Sequence, residues 1–204
     1  MTVTLSPASL SGSIKAIASK SDAHRVVICA ALSDVPCELL MSTSSEDIEA
    51  TAQCMRALGA TIEKSGAGLV VTPGKTPETA MLDCGESGST LRFLLPVAAA
   101  LCEKTSFTGH GRLPERPIGE LTDAMGKNGV EFSSAKLPLE TTGKLKSGVY
   151  TLPGNISSQY ITGLLLALPL LESDSEIVLT THLESAAYVD ITLHALRRFG
   201  IKIE

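Results

Sequence analysis

The chain has 204 residues, a formal net charge of −5 and a composition of 44% hydrophobic, 19% charged and 3% aromatic residues. These proportions are typical of a folded globular protein, because they supply enough apolar side chain for a core. The acidic balance and the absence of Trp argue against the broad basic surface and the aromatic stacking platforms of nucleic-acid-binding proteins. Any anion site must therefore be local.

The cysteines and the apolar runs indicate the cellular compartment of the protein. Five widely spaced cysteines without a Cys-x-x-Cys pair predict free thiols rather than disulfides or a zinc site. The longest apolar runs, at 93–102 and 164–171, are much shorter than the roughly 18 residues of a membrane span. Residues 1–12 lack the pattern of a signal peptide. We predict a cytoplasmic protein with no metal, no cofactor and no membrane or nucleic-acid partner.

The first half of a repeating unit occurs three times along the chain. Strand-like runs at 13–18, 81–84 and 149–152 lead into polar turns at 19–22, 85–89 and 154–159. Each turn precedes a segment that is apolar on every face, and such segments belong in a core. These segments are 26–32, 91–101 and 160–171, and the strands predicted after them are 38–41, 105–108 and 176–180.

The second half of the unit repeats with a spacing of about seventy residues. Segments that begin with Ile48, Ile118 and Val189 place apolar residues on one helical stripe, and each ends in a glycine suited to a left-handed cap. Alternating runs at 60–63, 130–133 and 201–204 then predict strands. Copies one and two continue into a hairpin, the first through residues 66–68, whereas copy three ends before its hairpin is complete.

The unit is therefore β-α-β-α-β-β, and we predict an α/β (α+β) fold of three pseudo-threefold-related units. The predicted units are 13–75, 76–143 and 144–204, with helices buried inside and sheets outside. The third unit is expected to be incomplete.

The polar turns are candidate anion sites, since a helix N-terminus offers free N–H groups and a favourable dipole. Pseudo-threefold packing would bring the three turns to one surface, joined by the starts of the second helices. A serine there is ordinarily just a cap, and Arg25, Arg116 or Tyr188 alone is an ordinary surface or packing residue. Their equivalent places in several repeats favour binding. Cys84 adjoins a turn without a general-base partner and is predicted to be structural.

Five motifs occur in a fixed order: Ser-Lys-Ser-Asp-Ala-His-Arg at 19–25, Glu-Ser-Gly-Ser-Thr-Leu-Arg at 86–92, Arg-Pro-Ile-Gly-Glu-Leu at 116–121, Gly-Asn-Ile-Ser-Ser-Gln at 154–159 and Ser-Ala-Ala-Tyr-Val-Asp at 185–190. With them, essentially the whole chain resembles the N-terminal half of the 5-enolpyruvylshikimate-3-phosphate synthase family. The resemblance implies transfer of the enolpyruvyl group of phosphoenolpyruvate to the 5-hydroxyl of shikimate 3-phosphate, without a metal or cofactor. This reaction belongs to aromatic amino acid biosynthesis.

The resemblance also implies two domains of three such units each, with the substrates in the cleft between them. Members of the family are about twice as long, and their acid and base residues lie in the other half. We therefore expect a missing C-terminal domain, no catalytic residue in this chain and no activity of the chain alone. Residues 1–12 would be a strand that normally belongs to the other domain.

Residue by residue, the resemblance implies only substrate-binding roles. Lys20 would contact both substrates, and Ser21 and Arg25 would hold the shikimate ring and its carboxylate. The phosphate of shikimate 3-phosphate would lie on Ser157, Ser158 and Ser185. The remaining implied contacts are Gln159 to both ligands, Gly88 and Arg116 to phosphoenolpyruvate, and Tyr188 on the shikimate side.

The chain departs from the family pattern at Glu86, and two alternative functions remain open. Glu86 stands where many members have asparagine, and its carboxylate would repel phosphoenolpyruvate unless a cation paired with it. The related enolpyruvyl transferases that act on a UDP-sugar share the fold. A non-catalytic anion-binding module built on the same repeats is the alternative from another class.

Overall fold

The computed structural model describes residues 2–9, 11–14, 16–66 and 68–204. The first unit contains α1 (Lys20–Ala31), β1 (Cys37–Leu40), α2 (Glu46–Ala57), β2 (Thr61–Ser65) and β3 (Gly68–Thr72). The second contains β4 (Thr79–Asp83), α3 (Gly88–Leu101), β5 (Lys104–Thr108), α4 (Gly119–Gly126), β6 (Glu131–Phe132) and β7 (Leu139–Thr142). The third contains β8 (Val149–Leu152), α5 (Ser158–Ala167), β9 (Glu176–Leu179) and α6 (Ala186–Arg198).

Three small sheets correspond to the three units. The second sheet has the order β4-β5-β7-β6, in which β4 and β5 are parallel and the other neighbours are antiparallel. In the third, β8 and β9 form the same parallel pair. The first has the order β1-β3-β2 and is antiparallel throughout. The second unit is thus the complete β-α-β-α-β-β unit that the sequence predicts.

The prediction of a strand at 13–18 is wrong for residues 13, 14 and 16–18, which the structure describes. They form no strand, and Ile14 and Ile17 are 96% and 79% exposed. A strand needs a hydrogen-bonded neighbour, and β1 is paired with β3 alone. Lys15 lies outside the described residues. Residues 2–9, 11 and 12 likewise form no strand, and Met1 and Leu10 are outside the description.

The strand predicted at 201–204 is also absent from these residues. The equivalent strands β2 and β6 are each paired with the hairpin strand that follows them. Residues 201–204 have no such neighbour, so the alternating pattern alone does not produce a strand. The first hairpin joins β2 to β3 as predicted, although Ala67 in its turn lies outside the described residues.

Helix boundaries follow local chemistry. The buried helices α1, α3 and α5 begin one residue after the serines 19, 87 and 157, each of which accepts a backbone N–H bond through its hydroxyl. Gly59, Gly129 and Gly200 have φ values of +108°, +98° and +83°, as expected of left-handed caps. The apolar run to residue 171 is not one helix, because Pro169 turns its end into a 3₁₀ turn, Leu168–Leu170.

The helices form a closed ring inside the sheets, in which α1, α2, α3, α5 and α6 each pack against the next and α6 packs against α1. The closest approach is that of α3 and α5, where a side chain on Gly163 would collide with the carbonyl oxygen of Arg92. Arg25 of α1 lies over the ring of Phe93 of α3, 4.9 Å from its centroid. The core is therefore helical, with the sheets outside.

Among the residues that the structure describes, no helix has both the length and the apolar character of a membrane-crossing segment.

Candidate anion-binding site

Hydrogen bonds join the starts of five helices on one face of the molecule. Lys20 at the start of α1 pairs with Asp47 at the start of α2, Nζ to Oδ2, at 2.7 Å. The same residue of α2 accepts a bond from Thr90 of α3 through its carbonyl oxygen, at 3.3 Å. Further links are Gln159 Nε2 to Ser89 Oγ at 3.0 Å, from α5 to α3, and Arg25 Nη2 to the carbonyl oxygen of Tyr188 at 3.0 Å, from α1 to α6. The predicted convergence of helix N-termini is present.

The three predicted serines at this face differ in their availability. Ser157 caps α5, where its Oγ accepts the backbone N–H of Gln159 at 3.2 Å, so its hydroxyl proton remains free to donate. Ser158 is the first residue of α5 and is half-buried. Ser185 precedes α6 in the left-handed conformation, with φ of +57°, and its exposed side chain makes no cap bond. Ser185 therefore presents its hydroxyl to solvent.

Arg25 is 2% exposed, and internal oxygens occupy most of its donors. Nε donates to Thr192 Oγ1 at 2.7 Å, and Nη2 donates to Thr162 Oγ1 at 3.1 Å as well as to Tyr188. Nη1 donates to the carbonyl oxygen of Ser21 at 2.6 Å. Burial lowers the pKa of Arg25 to about 10, which leaves it charged at neutral pH. One N–H on Nη1 is left for a ligand.

Gly88 and Arg116 form a cradle at the start of α3. A Cβ atom on Gly88 would lie 2.6 Å from Arg116 Nη1 and 3.1 Å from Arg92 Nη1, so any side chain here would fill the space in front of both guanidinium groups. Arg116 is exposed, and its guanidinium group makes no hydrogen bond with another described residue. Within the described ranges, none of Arg25, Arg92 and Arg116 has a carboxylate within the 4.0 Å of a salt bridge. The face is locally cationic in an acidic chain.

Glu86 lies two residues before Gly88, and its carboxylate contacts the turn at Gly111 and Arg112. Its Oε1 accepts the backbone N–H of Arg112 at 3.0 Å, and its carboxylate packs against Gly111, where a side chain would collide with it. In the described residues no cation forms an ion pair with Glu86. The carboxylate is thus held by a neighbouring turn rather than by the cation that the sequence analysis required.

Arg92 and His24 are polar residues of this face to which the sequence assigned no ligand contact. Arg92 is 9% exposed and donates from Nη1 to Gln159 Oε1 at 2.6 Å. His24 is buried, with Nδ1 2.7 Å from Thr51 Oγ1, and burial lowers its pKa to about 4. A signal for Arg92 was present, because it closes the motif that begins at Glu86 and lies one helical turn after Gly88.

The remaining predicted residues have simple surroundings. Tyr188 is 48% exposed at the start of α6, and Ser21 lies half-buried in the first turn of α1. Cys84 is buried, and a hydrogen bond with Cys54 together with burial raises its thiol pKa well above the ordinary value. A thiol with a raised pKa is a poor nucleophile, in keeping with a structural role.

Two cavities lie beside this face rather than on it. One of about 370 Å³ lies between α1 and the free edge of β1, and another of about 400 Å³ is lined by Asp22, Asp190, His194 and Arg198. The cationic face itself is exposed at Arg116, Ser185 and Tyr188.

Comparison with known proteins gives a consistent result over nearly the whole chain. The family described as EPSP synthase (3-phosphoshikimate 1-carboxyvinyltransferase) matches residues 5–204. The 3-phosphoshikimate 1-carboxyvinyltransferases of Clostridium kluyveri and Clostridium beijerinckii are each 45% identical to the chain, over 99% and 97% of its length. The alignments cover 48% of each relative, so the chain spans about half the length of the curated relatives it matches.

The fold comparison agrees with the sequence comparison. The solved structure of EPSP synthase from Acinetobacter baumannii superposes with a TM-score of 0.80 at 25% identity. The superposition covers 95% of this chain and 44% of the Acinetobacter chain. The predicted fold class, with helices inside three units and sheets outside, is confirmed.

Proposed function

The chain belongs to the EPSP synthase family, and from this premise we propose that it is the shikimate 3-phosphate-binding half of an enolpyruvyl transferase. The proposed reaction joins the enolpyruvyl group of phosphoenolpyruvate to the 5-hydroxyl of shikimate 3-phosphate and releases phosphate. The proposed setting is aromatic amino acid biosynthesis in the cytoplasm.

The observation that carries the proposal is the cationic face at the helix N-termini. Both proposed substrates carry a phosphate and a carboxylate, and donors fixed at helix starts bind such groups well. Three guanidinium groups near this face have no carboxylate partner among the described residues. An anionic ligand would supply the missing negative charge.

The proposed contacts divide between two ligands. For shikimate 3-phosphate we propose Ser21 and Arg25 at the ring carboxylate, with a single hydrogen bond from Arg25 because its other donors are occupied. The other proposed contacts to this ligand are Ser157, Ser158 and Ser185 at the phosphate, Gln159, and Tyr188. For phosphoenolpyruvate we propose Gly88 and Arg116, with Lys20 released from Asp47 to lie between the substrates.

Turnover is proposed to need a second half. General acid–base catalysis requires a group within hydrogen-bond reach of the transferred proton, and a closed site strengthens every charge interaction inside it. The face seen here is open. We propose that a C-terminal domain supplies the acid and base, that units 13–75, 76–143 and 144–204 form the N-terminal domain, and that residues 1–12 pair with the other domain.

Two rival functions predict different ligands. A UDP-sugar enolpyruvyl transferase would bind UDP-N-acetylglucosamine, and the match to the EPSP synthase family does not favour it. A non-catalytic anion-binding module would bind inorganic phosphate as well as shikimate 3-phosphate. Such a module would not need Tyr188, whose proposed role is to contact the shikimate ring.

Isothermal titration calorimetry of the chain with three ligands tests the proposal. We expect binding of shikimate 3-phosphate, weaker binding of inorganic phosphate and no binding of UDP-N-acetylglucosamine. A phosphate-release assay should show no turnover by the chain alone and turnover when the C-terminal half of a relative is added. Equal affinity for phosphate and shikimate 3-phosphate would favour the binding module. Turnover by the chain alone would contradict the need for a second half.

A further inference from the structure

Arg92 joins two segments that carry proposed ligand contacts. Its side chain is buried on α3, one turn after Gly88, and its two terminal nitrogens donate in different directions. Nη1 donates to Gln159 Oε1 at 2.6 Å, and Nη2 donates to the carbonyl oxygen of Pro117 at 3.0 Å. The planar guanidinium fork therefore connects the start of α5 to the segment before α4.

The bond to Gln159 fixes which way the side-chain amide of this residue is turned. A guanidinium group only donates, so the amide must turn its oxygen towards Arg92 and its nitrogen away. On that other side, Gln159 Nε2 donates to Ser89 Oγ at 3.0 Å and retains a second N–H. Anions accept hydrogen bonds. The orientation imposed by Arg92 is therefore the one in which Gln159 can bind an anion.

The bond to the carbonyl oxygen of Pro117 holds the backbone beside Arg116 in place. The carbonyl oxygen of Pro117 accepts a second bond, from the hydroxyl of Tyr160 at 2.7 Å, and the next residue, Ile118, is 1% exposed. Arg116 thus extends from an anchored stretch of backbone towards Gly88. The guanidinium of Arg92 also lies over the ring of Tyr160, 5.6 Å from its centroid, which holds the arrangement together.

We propose that Arg92 is a positioning residue of the anion site: it orients the Gln159 amide and the Arg116 backbone without contacting the ligand. The inference rests on the proposed function, since it assigns a role within the same site. A lysine at this position would keep the charge but could not serve both acceptors as the planar fork does.

Calorimetry with shikimate 3-phosphate tests the assignment in four forms of the full chain: unmodified, Arg92→Lys, Gln159→Ala and the double variant. We expect Arg92→Lys to weaken binding about tenfold. Arg116 is proposed to contact phosphoenolpyruvate only, so Arg92 should affect shikimate 3-phosphate through Gln159 alone. The double variant should therefore bind no more weakly than Gln159→Ala. Unchanged affinity of Arg92→Lys, or losses that add in the double variant, would overturn the assignment.

Arg56→Lys is the matched control. Arg56 also donates to the backbone carbonyl of Ile62 and to the side chains of Glu49 and Gln53, but it lies outside the site. We expect this variant to lose some stability in urea and to bind shikimate 3-phosphate with unchanged affinity. A tenfold loss in the control as well would show that the Arg92 effect is general destabilisation, and would overturn the proposal.

A measurement without ligand separates this inference from the proposed function. The side-chain amide signals of Gln159 in ¹H–¹⁵N NMR spectra should shift in Arg92→Lys and stay unchanged in Arg56→Lys. Unchanged signals in Arg92→Lys would overturn the positioning role of Arg92 even if no ligand binds. Should Arg92→Lys not fold, the Gln159 amide signals of the unmodified chain must move on addition of shikimate 3-phosphate, and their failure to move while ligand binds would overturn it.

Discussion

Two buried polar networks lie beneath the helix starts, and they differ in charge. The neutral network runs from His24 through the hydroxyls of Thr51 and Thr90 to Ser87, with distances of 2.7, 2.7 and 2.8 Å. The charged network is built on Arg25, which donates to the hydroxyls of Thr162 and Thr192, themselves 2.9 Å apart. Both networks cross between helices through a pair of threonines.

Burial lowers the pKa of both His24 and Arg25, but only His24 is neutral at pH 7 as a result. Burial lowers the pKa of His24 to about 4, so the imidazole is neutral at pH 7. Its Nδ1 contacts the Thr51 hydroxyl, whereas its buried Nε2 has no partner among the described residues. Arg25 stays charged although burial lowers its pKa to about 10, and it requires four oxygen acceptors. The neutral network is therefore a structural joint, whereas the charged one still has a positive charge for a ligand to neutralise.

Acidification should affect the neutral network most. His24 has a pKa of about 4 in the folded protein, against the ordinary histidine value of 6.5 in the unfolded chain. Between these pH values the unfolded chain binds a proton that the folded chain does not, so stability falls as pH falls, by about 3 kcal/mol in total. Nearby Asp47 opposes the shift, and Lys20 and Arg25 support it. Urea unfolding from pH 7 to pH 4 measures the loss.

His24→Phe is the control for this prediction, because it keeps a ring against Phe93 without a titrating group. As the pH falls from 6.5 to 4, the free energy of unfolding of the unmodified protein should fall by about 3 kcal/mol relative to that of His24→Phe. Parallel pH curves would show that His24 does not titrate in this range.

Ligand binding should depend on the charged network alone. Replacing Arg25 with Met keeps the stem and removes the charge, and we expect the affinity for shikimate 3-phosphate to fall about 100-fold, or about 2.7 kcal/mol. His24→Phe should bind within about twofold of the unmodified chain. Calorimetry measures both. Equal losses in the two variants would remove the functional distinction between the networks.

Within the charged network, Thr192→Val should cost about 2 kcal/mol of stability, since a buried cation loses an acceptor. Thr192 Oγ1 accepts from Arg25 Nε at 2.7 Å and donates to the carbonyl oxygen of Tyr188 at 3.0 Å. Valine has nearly the same shape, so little packing is lost. Urea unfolding at pH 7 gives the value, and a loss below 1 kcal/mol would contradict a charged contact.

The smallest effect is expected at the equivalent threonine of the neutral network. Thr51→Val removes contacts between neutral groups only, and Thr90 keeps Ser87 as a partner. We expect a loss of about 1 kcal/mol, measured in the same unfolding experiment at pH 7. A loss larger than that of Thr192→Val would reverse the comparison.

The helices were predictable because their signals are local. Ser19, Ser87 and Ser157 mark the helix starts, and each caps the helix that follows it. The run at 13–18 has strand-like alternation as well, but a strand also needs a partner at the edge of β1, and alternation does not supply one. Local sequence therefore predicts helices better than strands in this chain.

The candidate site was predicted in part, and the gap has a physical reason. Helix starts with Lys20, Gly88 and Gln159 are visible in the repeats. The bonds that organise them link residues far apart in sequence: Arg25 and Thr192 are 167 positions apart, and Arg92 and Gln159 are 67 apart. Periodicity and capping rules describe neighbours along the chain and contain no information on such pairs.

The contact of the three buried helices limits how symmetric three repeats can be. Arg25, Phe93 and Gly163 each stand six residues after the serine that caps their helix, and all three lie where α1, α3 and α5 meet. Arg25 of the first unit lies over the ring of Phe93 of the second, whereas Gly163 of the third lets the backbone of α3 approach α5 closely. Three identical repeats could not pack this way. Gene duplication of such a unit must be followed by divergence at these positions, and later substitutions at one of them constrain the other two.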